Sequence, residues 1–466
     1  MDVQSVTLKI KNRQMKRITY LILLLTIGFQ AKAQPELTLP FMRDIFQASY
    51  INPTVMPEHT FSLGVPGTSV FGQIITNGFL PNNIFQFRND SMRLSPSSLL
   101  AELKDKNLIY AGENVDLFHL RKKVLNGYYW FAIRQNLNVT LYYPKDFFGL
   151  AIQGNGAYVG SSLDFSNLKT DATLYNEFTF GMMKEYPRWA FGGRISLLQG
   201  LSNVHFDPEM LKIQIDDDMY GHVAHADAKL YTAGIPKNGE GDPSFDHIDN
   251  FSWMSNYLTN FKNKGFALSG GVTYKYDDKT RLSFSFYDLG FITWKDSVQT
   301  YTLKGTTDFD GFNILGDWLY GTDFDIDTMI QSMEDDFTRD TVFTKYRTWL
   351  NPKFNLTASY DIARRTSVGF SFSGMYNKKL YPALTIGLQQ GVGRFFNLIA
   401  TASINHRSYN NLGLGFMIKP GPVQIFVIAD NINLAINPLY TTNVNVRVGL
   451  NWVFGRVKQP EGMPFK

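Results

Sequence analysis

The stretch from Asn443 to Phe454 sets the pattern for the chain. Val444, Val446, Val448, Leu450, Trp452 and Phe454 alternate with Asn443, Asn445, Arg447, Gly449 and Asn451. One face is wholly apolar and the other, apart from Val453, is polar or small, which is the period-two signature of a strand with two different environments. Trp189, Phe191, Gly193, Ile195 and Leu197 alternate in the same way with Ala190, Gly192, Arg194 and Ser196. Leu282 to Phe286, Val368 to Phe372, Leu137 to Tyr143, Phe354 to Tyr360, Asn397 to Ile404 and Leu412 to Ile418 repeat the pattern. Short polar turns join several of them, among them Asp277-Asp278-Lys279, Glu185 to Arg188 and Pro420-Gly421-Pro422. Roughly 14 to 18 runs of this kind are present, separated by turn residues.

Two architectures suit such a series, a soluble sandwich or propeller and a membrane barrel. The runs exceed the ~5–6 residues usual in soluble sheets and match the ~9–11 that cross a bilayer as tilted strands. Their polar faces are rich in Gly, Ser, Asn and Thr, and rings collect near strand ends, as at Tyr128-Tyr129-Trp130, Tyr142-Tyr143, Tyr274 and Tyr276. Amphipathic rings favour positions where one edge is apolar and the other wet. The pattern predicts an all-β fold, a transmembrane antiparallel β-barrel of about 14–16 strands with long loop insertions. The barrel is expected over 59–455, with a tail at 456–466. Residues 34–58, punctuated by proline, read as a periplasmic lead-in or a luminal plug. Residues 80–125 read as an insertion with a helix from Ser97 to Lys106, and 236–262 and 306–345 as two further long connections. Val444, Val446, Val448, Leu450 and Trp452 are the expected lipid-facing side of the last strand. Arg447, on the opposite side, should tolerate lysine unless a luminal carboxylate grips its guanidinium through both nitrogens.

Composition narrows the picture. The 466 residues include no cysteine, which excludes disulfides, thiolate metal sites and a cysteine nucleophile. A basic stretch from Lys9 to Arg17 precedes the apolar run Tyr20 to Phe29 and then Ala31-Lys32-Ala33. That is the order of an export leader, occupying 1–33, with cleavage expected between Ala33 and Gln34. Residues 1–33 carry a net +5, so the chain's +4 leaves the remainder near −1. A nearly neutral mature chain lacks the basic footprint of a nucleic-acid binder. The expected location is the outer membrane, with its lipid as the first partner and other envelope proteins as further ones.

The stretches Phe180 to Tyr186, Phe191 to Asn203, Tyr287 to Lys295, Asn410 to Phe416 and Pro422 to Ile432 resemble Bacteroidota outer-membrane barrel proteins of unassigned function. The resemblance covers most of 45–455 and implies a barrel without implying an activity. More distantly, the Asn52-Pro53 lead-in and the Phe454-Gly455 ending are similar to barrels that accompany type IX secretion and gliding machinery.

Candidate chemistry is sparse. His222, His225 and Asp227 have metal-ligand residue types, but in a strand positions 222 and 225 fall on opposite faces. Asp323, Asp325, Asp327 and Glu334 match the carboxylate spacing of a calcium loop, yet Thr328 stands where that loop needs glycine. Met329, Ile330 and Met333 instead suggest a helix capped by Asp327. There is no Gly-x-Ser-x-Gly, no His-Glu-x-x-His and no phosphate-binding loop, so neither an enzyme nor a cofactor is expected. Few charges on the polar faces argue against a strongly ion-selective channel. The expected function is a pore or transport barrel for a small or amphiphilic solute, with a non-conducting docking barrel in an envelope complex as the alternative.

Overall fold

The computed structural model describes residues 36–77, 85–88, 91–217, 222–235, 251–309, 338–342, 344–377, 379–393, 395–405, 411–433 and 441–457. Fourteen strands close into one antiparallel transmembrane barrel. They are β1 (the two segments Phe61–Gly64 and Ser69–Thr76), β2 (Asn107–Val124), β3 (Gly127–Tyr143), β4 (Lys169–Glu185), β5 (Trp189–Phe206), β6 (Lys264–Lys275) and β7 (Thr280–Trp294). The other half comprises β8 (Lys353–Ala363), β9 (Thr366–Asn377), β10 (Lys379–Val392), β11 (Phe396–Asn405), β12 (Asn411–Ile418), β13 (Val423–Ala429) and β14 (Asn443–Phe454). Each strand pairs with the next. β14 closes the ring on both segments of β1, Phe61 against Phe454 and Val70 against Val448. The break in β1 falls at Pro66-Gly67, where proline has no N–H for the ladder and Gly67 takes φ +75°.

Burial separates the barrel from a sandwich. A sandwich buries its apolar face. Here Thr385, Ser403 and Asn445 are 1%, 3% and 3% exposed, while Ile386, Ile404 and Val448 are 59%, 51% and 45% exposed. The polar face therefore lines the interior and the apolar face forms the outer belt, as lipid surroundings require. On β14, Val446 and Val448 point outward while Asn445, Arg447 and Asn451 are buried. At the end with short turns, the Trp189 and Tyr274 rings meet across β5 and β6, tilted by 41° with centres 4.5 Å apart.

β2 to β5 run 17 or 18 residues, more than a bilayer needs, and project beyond it at the end with long connections. There Met210–Ile215, His222–Ala233 and Gln299–Phe309 extend the sheet. The expected insertion at 80–125 is corrected in its second half. The helix is shorter, Pro96–Glu102, and Asn107–Val124 is β2 itself. Its alternation is hidden in the sequence because Asp116, His119 and Arg121 face inward while a bulge between Asp116 and Phe118 shifts the register.

Candidate functional site

The interior is occupied by the chain's own N-terminal segment. Pro40, Pro53 and Pro57 forbid a long helix there, and residues 36–58 fold as short turns, with 3-10 helices at Leu39–Phe41 and Phe46–Tyr50. Leu39, Phe41, Met42, Ile45, Ala48, Ile51 and Val55 form one apolar cluster with the wall residues Tyr287, Ile399, Met417, Phe426 and Ile428. Phe46 and Tyr50 enter a second cluster with Tyr128, Trp130 and Met183 on β3 and β4. The ring of Phe41 sits over a cross-strand pair of glycines, Gly369 and Gly387 on β9 and β10. A Cβ at either position would lie 2.7 Å from that ring, so the absence of side chains makes the dimple it occupies.

Polar contacts hold the segment to strands around the ring. Glu36 receives two hydrogen bonds from Arg447 on β14, from Nε at 2.7 Å and Nη2 at 2.8 Å. The tolerance for lysine expected at position 447 therefore does not apply, because a fork of two donors is in use. The Asp430 carboxylate accepts the backbone N–H groups of Leu37 (3.0 Å) and Thr38 (2.7 Å), closing the first turn. Thr38 also meets Thr401 on β11 at 2.8 Å. Gln47 donates to Asp116 on β2 (2.9 Å) and exchanges hydrogen bonds with Asn451 on β14. Asp116 also accepts from Tyr50 at 3.0 Å. Arg121, also on β2, donates to the carbonyl of Val55, and on the far wall the Thr54 hydroxyl lies 2.5 Å from that of Thr273 on β6.

Charged side chains line the wall where few were expected. Arg134 on β3 pairs with Glu177 on β4 at 2.6 Å, and Arg194 on β5 with Asp288 on β7 at 3.1 Å. Asp288 also binds Lys353 on β8 at 2.7 Å. The Tyr50 ring lies 4.3 Å from the Arg134 guanidinium and 5.7 Å from that of Arg194, so the segment docks against the charges as well as the apolar wall. The sequence shows these residues one per strand, and the pairing register of β3 to β8 brings them into one arc. Within the segment, burial in the lumen and then the neighbouring Glu58 push the Asp44 carboxyl up to about 6, against the opposing pull of Lys419 and Arg43.

Toward the long-connection end, Ile75 and Tyr110 on β1 and β2 join Met375 and Tyr381 on β9 and β10 in one buried apolar cluster. Those two strand pairs stand on opposite sides of the ring, so the contact spans the lumen. The passage is thus apolar at one level, polar and charged at another, and filled by residues 36–58 below.

The other candidates are not assembled into a site. His222 and His225 lie on opposite faces of the extension strand His222–Ala233, near Asn155 (3.3 Å) and Thr306 (2.9 Å) respectively, and Asp227 is paired with Lys304 at 2.8 Å. Among the described residues no group of three or more histidine and acidic side chains is arranged to hold a metal ion. The cleavage pair Ala33 and Gln34 and the acidic loop Asp323, Asp325, Asp327 and Glu334 lie outside the described residues.

Fold and lumen together define a transmembrane β-barrel whose N-terminal segment packs inside its own wall. The chain belongs to a family of unknown function, DUF5723, whose model matches residues 53–430. No curated protein matches it. Among solved structures it is similar to a mutant of the TodX monoaromatic hydrocarbon channel, at 8% identity and TM-score 0.45, over 87% of this chain and 93% of that one. It is also similar to the Ralstonia pickettii toluene transporter TbuX, at 10% identity and TM-score 0.43, over 88% and 94% of the two chains. A Pseudomonas aeruginosa FadL homologue matches at 10% identity and TM-score 0.43, over 91% and 99%.

Proposed function

We propose that the chain is an outer-membrane channel for small apolar or amphiphilic solutes, kept shut at rest by residues 36–58. The observation that carries this reading is the packing of that segment between opposite walls, by non-covalent contacts to β2 and β14 on one side and to Thr273 and Tyr287 on β6 and β7 on the other. A barrel built only as a scaffold has no need of small wall residues shaped to a separate segment, such as Gly369 and Gly387 beneath Phe41. The mixed lining suits a solute with an apolar body and a polar end better than a bare ion, since apolar cluster and ion pairs share one passage. The export leader and the apolar outer belt support an outer-membrane location, with Val444, Val446, Val448, Leu450 and Trp452 against lipid.

Planar-bilayer recording and vesicle release of a small aromatic solute test the proposal. The full mature chain should conduct little, and excision of 36–58 should raise both conductance and release at least tenfold. An excised barrel that still migrates as a folded, heat-modifiable species yet stays closed would refute the channel reading and leave the docking barrel in an envelope complex.

A further inference from the structure

The outer surface of the barrel carries a second patch of ordered chemistry, at the start of β6 and the end of β7. Strand register stacks it in rows. Leu268 faces Leu289, the next row sets Phe266, Phe291 and Trp349 side by side, and the row above sets Lys264, Thr293 and Arg347 side by side. Lys295 and Lys345 follow at the level of the long connections. Lys264, Phe291, Thr293, Lys295, Lys345 and Arg347 line a cleft of about 600 Å³. Trp349 is 67% exposed, and the Arg347 guanidinium lies 4.2 Å from the centre of the Phe291 ring.

What marks this cleft is the gathering of four cations, Lys264, Lys295, Lys345 and Arg347, around one cavity. Some lysines at this end have carboxylate partners, as Lys304 has Asp227 at 2.8 Å and Lys262 has Asp296 at 3.0 Å. Among the described residues none of the four cations of the cleft is paired with a carboxylate, and the neighbouring Asp296 is already held by Lys262 and Asn260. Four unpaired cations therefore stand directly above an aromatic row and an aliphatic row. We infer that this face is a binding site for an anionic lipid, with the phosphate of the head group in the Lys264–Arg347 cleft and an acyl chain along Phe266, Phe291 and Trp349. A soluble anion would use only the upper row. An acidic protein surface would have to displace lipid from Leu268, Leu289, Ile195 and Leu197, which belong to the continuous apolar belt.

The inference is independent of whether the lumen conducts and needs only the barrel in a bilayer. Its test uses the full mature chain reconstituted in phosphatidylcholine vesicles doped with lipid brominated on the acyl chain. The fluorescence of Trp349 is isolated by difference from Trp349→Phe. Brominated phosphatidylglycerol should quench it with at least fivefold higher apparent affinity than brominated phosphatidylcholine, since each basic side chain near an anionic lipid surface contributes about fivefold. The preference should shrink in high salt as screening lengths fall below ~8 Å, and vanish in Lys264→Gln/Arg347→Gln. If that variant does not insert, as judged by heat-modifiable mobility, Lys295→Gln/Lys345→Gln lies off the ladder and should remove most of the preference. Equal quenching by the two lipids in the wild type, or a preference untouched by the variants, overturns the site. Saturable binding of inorganic phosphate to the barrel in pure phosphatidylcholine vesicles, lost in Lys264→Gln/Arg347→Gln, together with equal quenching by the two brominated lipids, assigns the cleft to a soluble anion instead.

Discussion

Replacing Glu36 by glutamine should release the N-terminal segment from the lumen. The Arg447 side chain is 1% exposed and Glu36 is its bidentate carboxylate partner, at 2.7 and 2.8 Å. Removing one partner of such a buried pair costs ~3–5 kcal/mol, because the remaining charge is left without compensation. Glutamine keeps one acceptor oxygen, which returns ~1 kcal/mol. The net loss of about 2–4 kcal/mol corresponds to a ~30-fold to several-hundred-fold shift toward the undocked segment. The assay exploits the absence of cysteine in the chain. Ser49, fully buried in the segment, is replaced by cysteine, and its reaction with a water-soluble maleimide is timed in vesicles. Glu36→Gln should accelerate labelling by the same factor. Adding Arg447→Met removes the orphaned cation and should return the rate to within a few-fold of the parent. A single variant that labels at the parent rate, or a double variant that labels as fast as the single, refutes the argument that this pair holds the segment.

Gly387→Val should also undock the segment, because its first side-chain carbon would stand 2.7 Å from the Phe41 ring, whereas Gly72→Ala, with open space around it, should leave maleimide labelling unchanged. Docking should weaken as pH rises from about 4 through about 6. Asp44 has its pKa raised in the docked state, so that state binds the extra proton and loses the advantage as the carboxyl ionises. Asp44→Asn should flatten that dependence when labelling of Ser49→Cys is normalised to an exposed cysteine. Val448→Arg should cost ~2–4 kcal/mol in chemical denaturation from vesicles, as for a cation placed near the bilayer midplane. A cost below ~1 kcal/mol would mean that position 448 does not meet lipid.

The strands and their two faces were written in the sequence because side-chain direction in a strand has period two and every register error would swap the faces. That Val446 and Val448 share one face and Arg447 takes the other follows from that rule, while the count of runs gave about 14–16 strands, of which the ring has fourteen. The opposite faces of His222 and His225 follow from it as well. Local pattern failed at β2, where inward charges and a bulge broke the alternation, and residues 107–124 read as insertion. The lumen was legible only in outline. Residues 34–58 looked like a lead-in or a plug because proline excludes regular structure, but nothing local says that Glu36 will meet Arg447, 411 positions away. Arg134, Glu177, Arg194, Asp288 and Lys353 are isolated charges in the sequence, one to a strand, and the pairing register of β3 to β8 turns them into an arc of ion pairs facing Tyr50. Periodicity fixes which face a residue occupies, whereas its partner across the barrel depends on strand count, stagger and closure. Those are properties of the ring as a whole, and so only the tertiary structure decided what fills it.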